Sequence, residues 1–144
     1  MEITSAVDLI VFAGQSNMAG RGDAEDAPEC LPGAGYEYKA VSAPEDLIPI
    51  QEPFGLHEDR ENGLSDRTED GGTKRSGSMV TALVNEYYRQ TGHVVIGVSA
   101  SKGGTSTEQW KKSYISDAVG RLESAKCYLF DHQIAVRDIY VVWC

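Results

Sequence analysis

The nine residues Gly14-Gln15-Ser16-Asn17-Met18-Ala19-Gly20-Arg21-Gly22 carry the most telling chemistry in this chain. A serine hydroxyl becomes a useful nucleophile when a neighbouring group takes its proton and N–H donors face the same spot. Directly before this stretch, residues 7–13 (VDLIVFA) are short, β-branched and mostly apolar, which predicts a buried central parallel strand. Serine on a sharp strand-to-helix turn presents its hydroxyl at the carboxyl end of the strand, where open α/β sheets bind ligands. Gly14 supplies permissive backbone at the turn. The same residues also fit a purely structural use, with Ser16 or Asn17 as a helix N-cap.

A second stretch has the same form. Val98-Ser99-Ala100-Ser101-Lys102-Gly103-Gly104-Thr105-Ser106, followed by Trp110, reads as a strand running into a glycine turn. Gly14-Gln15-Ser16-Asn17-Met18 resembles block I of one branch of the SGNH hydrolases, that of the sialate O-acetylesterases and related carbohydrate (acetylxylan-type) acetylesterases. The Gly103-Gly104-Thr105-Ser106 turn resembles that family's second block. The resemblance implies that Ser16 is the acyl nucleophile and that the backbone N–H groups of Ser16 and Gly103 form part of an oxyanion hole. It implies supporting or substrate-binding places for Gln15, Asn17, Gly104 and Thr105. It further implies an acetylated carbohydrate substrate, an acyl-serine intermediate, and no metal or organic cofactor. In such enzymes a Trp-x-Gln-Gly-Glu pattern follows the third strand and an Asp-x-x-His block carries the base. Here Trp143-Cys144 is the last dipeptide, so neither block is expected within the chain. The alternatives are a carbohydrate-binding protein without turnover, or half of a split enzyme that needs a partner chain for its His and Asp.

The local histidines are poor substitutes for that base. His57 falls in an acidic loop, His93 at the start of a strand and His132 on a helix face, and a base must come within hydrogen-bond reach of the hydroxyl. No Gly-Lys-Ser/Thr follows Gly14–Gly20 at phosphate-loop spacing, and Gly20-Arg21-Gly22 lacks the third glycine of a dinucleotide fingerprint. Lys74-Arg75 reads as a lone basic pair. Lys102 reads as solvated.

The predicted architecture is α/β: a three-layer, flavodoxin-like (SGNH hydrolase) parallel sheet, incomplete in this chain, with residues 1–144 as the N-terminal portion of a single domain. Residues 21–75 are polar, acidic and rich in Gly and Pro, with one short strand expected at 36–41. An excursion of that length is usually functional, and it is expected to shape the substrate cleft. Its charges (Glu58-Asp59-Arg60-Glu61, Glu69-Asp70) read as solvated. Ser76-Gly77-Ser78 opens a helix whose apolar face is Met79/Val80, Leu83/Val84 and Tyr87/Tyr88, and Gly92 ends it. Residues 94–98 form a second parallel strand. A short helix carrying Trp110 is capped by Ser106 or Thr107. A longer helix begins at Asp117 with Ala118, Leu122, Ala125 and Leu129 facing the sheet. Arg137-Asp138 reads as a turn into a third strand at 139–143.

Composition bounds the rest. A chain of 144 residues with 41% hydrophobic residues can build a real core, burying roughly 68–70% of its unfolded surface at this size. A net charge of −9 argues against nucleic acid or an anionic membrane as partner. Cys30, Cys127 and Cys144 are widely spaced and suggest reduced thiols rather than zinc. No basic region precedes the first apolar run and Asp8 interrupts it, so no signal peptide is expected and the chain reads as cytoplasmic, although secretion with a removed leader also fits. No apolar run approaches the ~20 residues needed to span a membrane.

Overall fold

A computed structural model describes residues 2–144. Five strands form one sheet in the order β3-β2-β4-β1-β5. In chain order, β1 is Val7–Gly14, α1 Ser16–Ala19, β2 Gly35–Tyr38, β3 Leu47–Pro49, α2 Val80–Thr91, β4 Val95–Ser101, α3 Thr107–Gln109, α4 Ile115–Asp131 and β5 Val136–Trp143. Strands β2, β4, β1 and β5 run parallel, and β3 alone is antiparallel, at the β2 edge.

The three layers follow from alternation along β1, whose residues are all buried. Leu9, Val11 and Ala13 join Ile96, Val98, Ala100 and the α4 residues Ala125 and Leu129 in one cluster. Ile10 and Phe12 join Val95 and the α2 residues Val80 and Val84 in the other. A period of two therefore sends successive side chains to opposite helical layers. From β1 the chain reaches β4 by way of α2. From β4 it crosses back past β1 to β5 by way of α4. The winding direction reverses between β1 and β4, and the carboxyl ends of those two strands flank the switch-point crevice.

Several boundaries move from their expected places. β4 runs on to Ser101, because residues 99–101 stay paired with Phe12, Ala13 and Gly14. β5 begins at Val136, so Arg137 and Asp138 are strand residues rather than a turn, Asp138 opposite Asp8 and Arg137 at a bulge. β2 is shorter than expected and gains an antiparallel partner, β3. Helix α2 begins at Val80, and its own N-cap residue makes no side-chain cap. Glu52 caps it from a distant loop, accepting from Ser78 Oγ (2.7 Å), Ser78 N–H (3.2 Å) and Thr81 Oγ1 (3.2 Å). Gly92 ends α2 in the left-handed conformation, as expected. Ser106 caps α3 through a capping box with Gln109. A π-helical turn, Trp110–Tyr114, then leads into α4, which starts two residues earlier than predicted. Residues 21–75 are mostly irregular but pack closely. Asn85 of α2, for example, bonds Leu31 N–H and Glu29 carbonyl, both at 2.8 Å.

Candidate active site

Ser16 is the first residue of α1, one residue beyond Gln15 and two beyond the end of β1. Three backbone contacts fix the turn. Gln15 N–H donates to the Cys144 carbonyl (2.9 Å), Cys144 N–H to the Ala13 carbonyl (3.0 Å), and Lys102 N–H to the Gly14 carbonyl (3.0 Å). Gly14 adopts φ 137°, and a Cβ there would collide with the Cys144 carbonyl oxygen. Met18 and Ala19 bury the far side of α1 in the core. Ser16 itself is half-buried. Its N–H lies in the first helical turn, where no intrahelical acceptor exists.

Gly14 pairs with Ser101, which places the turn after β4 beside the turn after β1. A Cβ built at Gly103 would lie 3.7 Å from Ser16 Cβ, 2.7 Å from Arg21 Nη2 and 2.9 Å from Asp66 Oδ1. A side chain at this position would press on the Arg21–Asp66 pair. Gly103 N–H donates to Asp66 Oδ1 at 3.1 Å, so the amide expected to face an oxyanion is here bonded to a carboxylate. Arg21 grips the same carboxylate with both terminal nitrogens, Nη1 to Oδ2 at 2.8 Å and Nη2 to Oδ1 at 3.2 Å. Burial pushes the Asp66 carboxyl up, but the Arg21 bonds, the Gly103 N–H and the charges of Arg21 and Arg75 outweigh it and hold the group below the usual carboxylate range.

Beneath these turns lies a buried polar layer. Odd-numbered β4 residues direct their backbone groups toward β2, as Val95 N–H does to the Ala34 carbonyl. β2 ends at Tyr38 and its pairing ends at Glu37↔Gly97, which leaves the Ser99 and Ser101 carbonyls facing no strand. Two buried arginines take them. Arg121 Nη1 donates to the Ser99 carbonyl (3.0 Å), and Arg75 Nη2 to the Ser101 carbonyl (3.0 Å), with Arg75 Nη1 on Ser101 Oγ (2.6 Å). Arg75 is thus a buried strand cap, not half of a surface basic pair. Glu58, expected in solvent, is 1% exposed and accepts from Val41 N–H, Ser42 N–H and Ser42 Oγ. Asp59, also expected in solvent, accepts from Asp66 N–H at 2.8 Å. Glu69 and Asp70 are exposed as expected.

The remaining sequence candidates divide by environment. Gln15, Asn17 and Gly104 are exposed around the crevice, free to meet a ligand. The Thr105 hydroxyl is committed to the turn, donating to the Lys102 carbonyl (2.9 Å) and accepting from Trp110 Nε1 (3.1 Å). Lys102 Nζ sits 5.4 Å from the Tyr114 ring centroid, a cation–π contact. Among the described residues no histidine bonds to Ser16. His93 pairs with Asp8 at 2.9 Å near the amino end of β1, and His132 bonds and stacks on Tyr128 at the C-terminus of α4. His57 is exposed on its loop. Arg21 lies in the Gly14–Gly22 stretch, but nothing there points to its partner, and Asp66 had no signal in the sequence beyond lying in a polar segment. Their link spans 45 positions of mostly irregular chain, which no periodicity reports.

The family model for carbohydrate esterase, sialic acid-specific acetylesterase, matches residues 6–135. Among solved structures, an X-ray structure of an Arabidopsis thaliana protein at 1.6 Å resolution is similar in fold, with TM-score 0.61 and 17% identity. The match covers 96% of this chain and 57% of that one. The chain therefore spans little more than half the length of that relative. No curated protein matches the sequence.

Proposed function

Because this chain belongs to the carbohydrate esterase family of sialic acid-specific acetylesterases, we propose that it carries the nucleophile and oxyanion side of a serine esterase that removes O-acetyl groups from carbohydrates. The observation that supports this most is the meeting of Ser16 and the Gly103–Gly104 turn at the switch point between β1 and β4. Ser16 Oγ attacks the acetyl carbonyl, its own N–H meets the developing oxyanion, and the glycine turn supplies a further donor. Removing one such donor costs about 10²–10³ in rate. The base is a histidine other than the three described, reached in the complete active enzyme by a further segment or a second chain. That division of labour also favours the split-enzyme reading, since β5 presents exposed Ile139, Tyr140, Val141 and Trp143 at the open sheet edge.

Hydrolysis of an aryl acetate, and of acetylated sialate and xylan, compared between the wild type and Ser16→Ala tests the assignment. Turnover should be lost in Ser16→Ala. Equal rates in the two proteins reject Ser16 as nucleophile. Saturable binding of an acetylated sugar with no turnover, even with the base-bearing segment or chain supplied, selects the binding-protein reading instead.

A further inference from the structure

Asp66 stands between the two parts that the proposed reaction must keep together. Its Oδ1 accepts Gly103 N–H at 3.1 Å, and its two oxygens take the Arg21 fork at 2.8 and 3.2 Å. Arg21 also donates to the carbonyls of Gly20 and Lys74, both at 3.0 Å, which ties the segment after Ser16 into the same cluster. Gly103 N–H has a single proton, and a charge-assisted bond to a carboxylate is about twice as strong as a neutral one. The carboxylate is no swinging lid. Its side chain is 3% exposed, its N–H bonds Asp59 Oδ1 at 2.8 Å, and its carbonyl accepts Lys74 N–H at 2.8 Å. Gly104, by contrast, is exposed, sits at φ 70°, and has open space where a Cβ would be. Among the described residues no protein group accepts its N–H.

We propose that Asp66 is a positioning residue. It grips Gly103 by its N–H and Arg21 by its guanidinium, and so fixes the glycine turn beside Ser16 at the spacing that the oxyanion needs. Gly103 N–H then serves the turn, and among the described residues the Gly104 N–H is left without a protein acceptor. This rests on the esterase reading of Ser16. It adds to that reading a residue far away in sequence that acts through the turn rather than on the substrate.

Asp66→Ala and Asp66→Asn in the full chain test it by two readouts: kcat and KM on an aryl acetate, and the exchange rate and proton shift of the Gly103 amide by ¹⁵N NMR. Asp66→Ala should lower kcat about tenfold or more, leave KM within about twofold, and speed exchange at Gly103. Asp66→Asn keeps an acceptor oxygen and should recover most of the kcat. It also carries the test if the alanine variant fails to fold. Unchanged or increased kcat in Asp66→Ala overturns the proposal, as does a loss of kcat that Asp66→Asn does not recover. If the wild type and Ser16→Ala both lack turnover even with the base-bearing segment or chain supplied, the esterase reading fails on its own. The Gly103 amide then decides: faster exchange in Asp66→Ala supports the grip, and unchanged exchange overturns it.

Discussion

Glu37 is 3% exposed within β2, where it accepts Gly55 N–H at 2.8 Å and lies 3.3 Å from Lys39 Nζ. Burial dominates its titration and pushes the carboxyl up from 4.5 to about 7, against the opposing pull of Lys39 and with a further push from Glu58. Arg75 also lies near enough to feel its charge. Between those two values the folded protein holds a proton that the unfolded chain releases. Stability therefore falls as pH rises through this window and levels off above about 7, where both states are ionised. The shift corresponds to ~3 kcal/mol across the window. Glu37→Gln keeps an oxygen for Gly55 and removes the charge, so its denaturation midpoint should lose this component of the slope between pH 4.5 and 7. Parallel midpoint–pH curves for the two proteins would contradict this account.

At the scale of elements, the two arginines beside β4 show what continues a sheet where a strand stops. Arg121 is 1% exposed and makes five bonds, to Asp117 through Nε and Nη2, and to the carbonyls of Glu58, Ser99 and Leu64. It joins α4, β4 and the loop above them, so its loss would leave three carbonyls and the Asp117 carboxylate short of donors. Arg121→Ala should cost about 3–5 kcal/mol in urea unfolding, the usual penalty for breaking a buried pair. Arg121→Lys should recover little, because a single ammonium cannot span acceptors that a planar fork reaches. A loss below about 1 kcal/mol for the alanine variant would place Arg121 outside the structural core. The same residues explain what the sequence could and could not disclose. Strands and helices were legible because apolar side chains recur at periods of 2 and 3.6, as Leu9/Val11 and Ala125/Leu129 do. The Ser16 turn and its glycine partner were legible because each directly follows such a strand. Arg75, Glu58 and Arg121 were not, because a buried, paired charge has the same letter as a solvated one, and only the early end of β2 creates the need for it. The unexpected start of β5 at Val136 has a similar origin: Arg137, at a bulge, donates to the Ala6 carbonyl at 3.0 Å, and Val136 and Asp138 on either side of it pair with β1.

The molecule as a whole is covered unevenly. Its β2 side is closed by β3 and by the loops of residues 21–75, whereas β5 has β1 on one edge and nothing among the described residues on the other. Val141 is 63% exposed and Trp143 53%, and both line a groove with Ile115 and Val119 of α4. Along the opposite face, Tyr140 and Val142 line a second groove with Leu83 and Tyr87 of α2. A long apolar edge strand with unpaired backbone groups is a template for strand addition, and charge at its centre is the usual means of blocking it. The 144-residue chain should therefore associate as concentration rises, with the weight-average mass in sedimentation equilibrium climbing above the 15.7 kDa monomer. Val141→Lys should return it toward the monomer. The new side chain meets solvent, so unfolding should change by no more than about 0.5 kcal/mol. Because Val141 pairs with Val11, several residues before the Ser16 turn, the substitution separates assembly from chemistry. A second copy brings no histidine beyond the three already placed away from Ser16, so turnover per chain should stay unchanged in Val141→Lys while the mass falls. A wild type that stays monomeric at the highest attainable concentration, or a lysine variant that associates equally, would show that the β5 edge is inert by itself.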